Sequence, residues 1–236
     1  TLFNVVPQMT KYQLYRLLKR TESLKDERHP MFERNKFMKF LAWFMIAYYA
    51  AIMIFLGVIL GMGLKGNYSA AYHRLDGGFF YLLIIDFWAR FAMKETPAQK
   101  VREYALLPIR RSFLMKTYLV RAMMSWGNTF WAFFLVPFGL VSVVPVMGWW
   151  ALVGWLLGYW LLFLSYSLGY LFTRALCMRH MLWFLAPLAL HAALVCVCVV
   201  PDHNVLRVPF VLFMQGFATW NPLSFITAVT FLLPYL

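Results

Sequence analysis

Charged residues are scarce in this chain. Only 13% of its 236 residues are charged and just 9 are Asp or Glu, whereas 63% are hydrophobic. Soluble globular domains carry about a quarter charged residues, so this composition argues against a water-soluble domain. It predicts instead an all-α polytopic membrane helix bundle, in which the bilayer is the principal solvent.

Several catalytic and ligand-binding patterns are also missing. The sequence has no GxxxxGK[ST], so the chain has no P-loop of its own for a nucleotide. It has no HExxH and no GxSxG, which removes the zinc-metalloprotease motif and the hydrolase nucleophile elbow. Its 3 cysteines give no disulfide framework, and Cys177 with His180 falls two ligands short of a zinc site. We therefore expect a non-enzymatic chain that binds no metal and no cofactor itself.

Long apolar runs predict about six membrane-spanning helices, because one span needs about 20 mostly apolar residues. The runs cover residues 37–63, 77–93, 113–144, 149–172, 181–200 and 208–235. They define a transmembrane domain over residues 37–236. The last residues are apolar with no charged stop, so we expect the domain to continue past Leu236.

Residues 1–36 form a separate basic arm. Leu14, Leu17 and Leu18 share one helical stripe, with the basic residues mostly elsewhere. This pattern predicts an amphipathic helix that lies in the membrane interface. A solvated basic helix ahead of the first span explains the pattern equally well.

The formal charge of +13 has a clear distribution along the chain. Most Lys and Arg residues precede the first run or lie in residues 94–116 and 173–180, whereas the opposite side holds Lys65, Arg74 and Arg207. Basic loops are retained in the cytoplasm, which predicts a multi-pass protein of the cytoplasmic membrane with its N-terminus inside. This distribution favours membrane lipids over nucleic acid as the partner.

Two features lie inside the predicted spans. Asp86 and Arg90 form an intramembrane polar pair at spacing i, i+4, so they share a helical face. The pair either lines a translocation path or is self-neutralising and structural, since intramembrane charges need a partner. Gly57 and Gly61 form a GxxxG pattern that permits the close approach of a second helix.

The cytoplasmic loop at residues 94–116 displays apolar residues on a charged background. Such a loop is a candidate docking surface, although it could equally be an interfacial segment packed on its own bundle. The residues predicted to contact a partner are Glu103, Tyr104, Leu106, Leu107, Pro108, Ile109, Arg110 and Arg111.

This loop resembles the one between the second and third spans of ABC-2-type transporter permeases, where a Leu-Leu-Pro-Ile-basic stretch forms a coupling helix. Residues 28–35 (RHPMFERN) and 86–91 (DFWARF) are similar to an uncharacterised family of Bacteroidetes permeases within that group. The resemblance covers residues 28–120, and beyond them only the hydropathy is similar.

The resemblance implies the permease subunit of an ATP-driven transporter in a bacterial inner membrane. ATP and Mg would be bound by a cytoplasmic ABC ATPase on another chain, and a second permease copy or related half would complete the transporter. The alternative is a non-enzymatic membrane scaffold or assembly subunit that docks its partner through the same loop. A third reading, a carrier or membrane enzyme that uses Asp86 and Arg90, lacks a second intramembrane acid among the predicted spans.

Overall fold

The computed structural model describes residues 36–63, 68–93, 130–199 and 207–232, with scattered positions among residues 13–20 and 113–120. Within these residues the chain forms helices and turns, and they contain no β-strand. The all-α prediction is confirmed for this part of the chain. The docking loop, Glu103 to Arg111 included, and nearly all of the N-terminal arm lie outside it.

The described residues contain eight α-helices and one 3-10 turn. In chain order they are α1 (Lys36–Gly61), α2 (Tyr68–Met93), α3 (Ala132–Ser142), α4 (Val144–Met147), α5 (Trp149–Cys177), the 3-10 turn Met181–Phe184, α6 (Leu185–Val199), α7 (Arg207–Ala218) and α8 (Pro222–Leu232).

Two of the described helices are long and apolar enough to cross a membrane. These stretches are Trp43–Gly61 in α1 and Trp149–Cys177, which is the whole of α5. The helix α2 has 26 residues but is more polar, and α3, α6, α7 and α8 are shorter. Six separate spanning helices are therefore more than the described residues establish.

The centre of the bundle is α5, which packs against α2, α3, α7 and α8. Trp155 and Tyr159 on α5 are fully buried. Phe79 of α2 meets the Tyr159 ring edge-on at 4.1 Å. Asp76 contacts Trp155, and Arg90, later in α2, contacts Ser167, later in α5. Because the contacts advance along both helices in the same direction, α2 and α5 run parallel.

The GxxxG glycines of α1 face α3, so the predicted close helix approach is confirmed. A Cβ added at Gly57 would lie 2.5 Å from the carbonyl oxygen of Phe134, and one at Gly61 would lie 3.1 Å from that of Phe138. Only a residue without a side chain allows backbones this close. The two helices run parallel, because contacts advance in the same direction along both.

The second predicted span begins earlier than expected. It was predicted to start at Gly77, but α2 starts at Tyr68 and continues through Arg74, Asp76 and the Gly77–Gly78 pair. A charged residue beside two glycines is typical of a loop. Here the carboxylate of Asp76 is satisfied by side chains of α5, so the helix passes through it.

The sixth predicted span, residues 208–235, is not one helix. It is divided into α7 and α8 by a tight turn in which Trp220 has φ 57°, a left-handed conformation unusual for a residue with a side chain. Trp220 N–H donates to Phe217 O and Asn221 N–H to Gly216 O, which is a Schellman ending. The Trp220 indole also donates to Trp150 O of α5 at 2.9 Å, which fixes the turn.

The helices α6 and α7 contact different parts of α2. Phe184, in the 3-10 turn, and His191 of α6 both contact the Trp88 ring in the second half of α2. In α7, Phe210 contacts Phe80, and Gln215 contacts His73 near the start of α2, so α7 runs antiparallel to α2. Residues 200–206, between α6 and α7, lie outside the described residues.

The α1–α3 contact makes the first prediction. Gly57→Ala should destabilise the protein, by about 1–3 kcal/mol, because the new methyl group meets backbone that cannot move alone. Gly78→Ala is the matched control in α2, where an added Cβ has no atom within 4 Å. Thermal unfolding in detergent should show a lower midpoint for the first variant and an unchanged or higher one for the second. Equal midpoints would contradict the packing described.

Candidate functional site

The predicted polar pair lies on the buried face of α2. The Asp86 and Arg90 side chains form an ion pair of 2.6 Å and are only 11% and 5% exposed. The Trp131 indole donates to Asp86 Oδ1 at 3.1 Å, and Arg90 Nη1 donates to Ser167 Oγ at 3.3 Å. The pair therefore connects α2 with α5 and with the residue that precedes α3.

A second buried carboxylate, that of Asp76, lies nearer the start of α2. Asp76 has no solvent exposure. Its Oδ1 accepts a hydrogen bond from the Tyr159 hydroxyl at 2.6 Å and another from the Trp155 indole at 3.0 Å. Its Oδ2 has no hydrogen-bond partner among the described residues. Asp76 is thus held by two aromatic donors on a single face of α5.

Sequence reasoning missed the Asp76 site, since it started the second span at Gly77 and left Asp76 just outside it. The available signal was on the other helix. Trp155 and Tyr159 stand four residues apart in an otherwise apolar run, so their N–H and O–H groups point the same way. Buried tryptophan and tyrosine usually find a hydrogen-bond partner, and only an acceptor on a neighbouring helix can provide one here.

The two aspartates make a repeated arrangement. Each accepts a hydrogen bond from a tryptophan indole. They are ten residues apart on α2, which corresponds to about 15 Å along the helix axis. Polar contacts to α5 therefore hold α2 at two levels, through Asp76 and through Arg90.

A cavity of about 570 Å³ lies beside this pair of helices. It is lined by residues of α2, α5, α6, α7 and α8. Its wall is mainly aromatic and aliphatic, with Phe80, Leu83, Phe87, Leu162, Phe210 and Phe213 among the lining residues. Neither Asp86 nor Arg90 lines it, so the described cavity is not a path along the predicted polar pair.

The cavity has few polar groups, and most of them are already satisfied. The hydroxyls of Ser165, Thr173 and Thr227 line it but donate to carbonyl oxygens of their own helices. His191 differs: it is 6% exposed, and the hydrogen-bonding neighbour of its imidazole is the backbone carbonyl of Pro187, one turn earlier on α6. One ring N–H is directed to that carbonyl, so the other ring nitrogen has no partner among the described residues. A buried polar atom of this kind needs an explanation, because an unpaired group costs about 1–3 kcal/mol.

Aromatic rings surround His191. Its ring centroid lies 4.8 Å from that of Phe87, 5.9 Å from that of Trp88 and 6.2 Å from that of Tyr166. These contacts orient the imidazole without supplying a hydrogen bond. What the arrangement can do chemically is to present one hydrogen-bonding atom inside an apolar space.

No group of three or more His, Cys, Asp and Glu side chains comes together among the described residues. The structure presents an apolar cavity beside the buried polar contacts of Asp76, Asp86 and Arg90, which we call the polar clamp.

A family model matches residues 22–236. The chain belongs to the family of unknown function DUF5687. No curated protein and no solved structure matches it.

The Asp76 site in this DUF5687 member predicts an order of stability. Asp76→Ala removes the acceptor of two buried donors, which should cost about 1–3 kcal/mol for each group left unpaired. Asp76→Asn keeps an acceptor oxygen and should cost less. Thermal midpoints in detergent should therefore fall in the order wild type, Asn, Ala. An alanine variant as stable as the asparagine variant would show that these hydrogen bonds do not hold α2.

The Asp86–Arg90 pair makes a separate prediction. Arg90→Leu leaves Asp86 as a buried charge without its ion-pair partner, and such a change costs about 3–5 kcal/mol. The double variant Asp86→Leu/Arg90→Leu removes both charges and should recover most of that loss. Unfolding midpoints of the two variants measure this. If the double variant is no more stable than Arg90→Leu, charge neutralisation is not what the pair provides.

Proposed function

We propose that the chain is the membrane-spanning permease subunit of an ATP-driven transporter of the ABC-2 type. A separate cytoplasmic ATPase would bind ATP and Mg, and a second permease copy or related half would complete the complex. The observation that carries the proposal is the apolar cavity between the α2–α5 pair and the helices α6, α7 and α8. The proposal places the chain in a bacterial inner membrane with its N-terminus in the cytoplasm.

The surface of α1 supports the membrane location. Its apolar stretch Trp43–Gly61 is only 11% buried. Trp43 is 72% exposed, Phe40 65% and Phe55 64%. In water a continuous apolar surface of this kind would drive association. In a bilayer the same side chains lie in hydrocarbon, while the other side of α1 packs mainly on α3.

The cavity supports transport. Ligand sites are commonly found between the helices of a bundle. Here five helices contribute side chains to the lining of one cavity. Since α6, α7 and α8 form one wall and the α2–α5 pair the other, movement between these groups would change access to the cavity. This is rigid-body gating of an ordinary kind.

The polar clamp supports a route for force. The predicted docking loop begins directly after α2, which ends at Met93. A push on that loop would reach α2 first. Because Asp76 and Arg90 tie α2 to α5, the two helices would move as one body. The resemblance to ABC-2 permeases assigns the push to ATP-driven closure of the partner.

The test introduces a negative charge into the docking loop. Leu107→Asp should abolish partner-dependent ATPase activity, because a carboxylate in an apolar contact leaves an unpaired buried charge. Thr96→Asp adds the same charge to the same loop outside the Leu-Leu-Pro-Ile block and serves as the control. The tagged chain is purified from native membranes with its partners. We expect an ATPase with Walker motifs to co-purify with the wild type and the control and to be lost with Leu107→Asp.

Two results would count against the proposal. If Leu107→Asp retains the ATPase and full activity, the loop is not the coupling element. If only other membrane proteins co-purify with the wild type, the chain is a scaffold or assembly subunit instead. Gel filtration of each variant in detergent checks that it is folded, so that misfolding is not mistaken for either result.

A further inference from the structure

The cavity opens sideways at the surface of the bundle. Leu190 of α6 and Phe231 of α8 both line it, yet they are 60% and 59% exposed. Pro209 and Thr227 also line it and are exposed. These residues form the rim of an opening between α6 and α8. The surface around the rim is apolar, so under the proposed membrane location the opening faces lipid.

The lining restricts the charge of an occupant. Among the described residues, no Asp, Glu, Lys or Arg lines the cavity. A charged headgroup inside would have no counter-ion, and burying an uncompensated charge is very costly. The ligand part held here is therefore uncharged. The many Phe and Leu side chains favour a hydrocarbon.

One polar contact restricts the occupant further. His191 lies on the cavity wall, and one N–H of its imidazole is directed to the Pro187 carbonyl of its own helix. The other ring nitrogen is then a lone-pair acceptor, to which a hydroxyl group on the ligand can donate. The hydroxyls of Ser165 and Thr173 retain lone pairs for a second contact. A pure hydrocarbon would leave this nitrogen unpaired.

We propose that the cavity binds an uncharged single-chain lipid that enters from the membrane between α6 and α8, with a hydroxyl-type polar end hydrogen-bonded to His191. The cavity volume of about 570 Å³ lies within the range of specific ligand sites, roughly 300–1,000 Å³. Describing this lipid as cargo rests on the proposed transport function. Its binding does not depend on ATP or on a partner.

Photolabelling tests the site on the purified full chain. The probe is hexadecanol with a diazirine in the middle of its chain, and the comparison probe is the same hydrocarbon without the hydroxyl group. Labelled peptides are identified by mass spectrometry. We expect saturable labelling concentrated on α6 and α8, with little on the equally apolar surface of α1.

Two tryptophan variants of α6 form a matched pair. Leu194→Trp fills the cavity, which Leu194 lines, and should lower the saturable labelling about tenfold, equivalent to about 1.4 kcal/mol. Leu188→Trp places the same ring on the outward face, where Leu188 is 42% exposed, and should change nothing. Equal labelling of both variants, or labelling spread evenly over α1, would overturn the site.

His191→Leu tests the polar contact without filling the cavity. It should lower labelling by the alcohol about threefold to tenfold, the range that one hydrogen bond accounts for. Labelling by the hydrocarbon probe should be unchanged or stronger. If the variant affects both probes equally, His191 does not bind the polar end and the proposed ligand class is wrong.

These results are separable from those of the docking loop. Specific labelling in a chain that co-purifies with no ATPase would keep the lipid site and overturn the transport function. Loss of ATPase coupling in Leu107→Asp, with no saturable labelling in the wild type, would keep the transporter and overturn the lipid site.

Discussion

A carboxylate buried among apolar helices must be given donors, and this requirement organises the bundle. Asp76 accepts hydrogen bonds from the Tyr159 hydroxyl and the Trp155 indole. Asp86 forms an ion pair with Arg90 and accepts a hydrogen bond from the Trp131 indole. In a low-dielectric interior an unpaired charge is far more costly than a paired one is favourable. The main effect of these acids is therefore to fix the position of α2 along α5. If α2 moved along α5, the buried groups would be left unpaired.

This register has a consequence for the opposite side of the bundle. With α2 and α5 joined at two levels, one wall of the cavity is fixed. The other wall is made of short helices: α6 and α7 have 15 and 12 residues, and α8 has 11. Short helices can shift relative to a fixed wall while their own hydrogen bonds stay intact. The turn at Trp220 limits that shift at one end, because its indole is bonded to α5.

Sequence reasoning predicted the parts of this fold that depend on local pattern. The all-α class follows from apolar runs, the Asp86–Arg90 contact from i, i+4 spacing, and the α1 packing face from Gly57 and Gly61. It failed where a distant partner decides the outcome. Asp76 beside two glycines reads as a loop unless Tyr159 is known to face it. The turn at residues 219–221 has a tryptophan in the left-handed position instead of a glycine. The stop signal in its sequence is the Asn221-Pro222 pair, which sequence reasoning passed over in favour of one long apolar run.

The cavity illustrates the same limit. Its lining comes from five helices, and no single run shows an excess of polar residues to mark it. His191 in isolation is one histidine in an apolar helix, most often a packed core residue. In the structure, Phe87, Trp88 and Tyr166 surround its ring, and the Pro187 carbonyl is next to only one of its two nitrogens. The other nitrogen, on the wall of a cavity that opens between α6 and α8, is therefore left for a ligand.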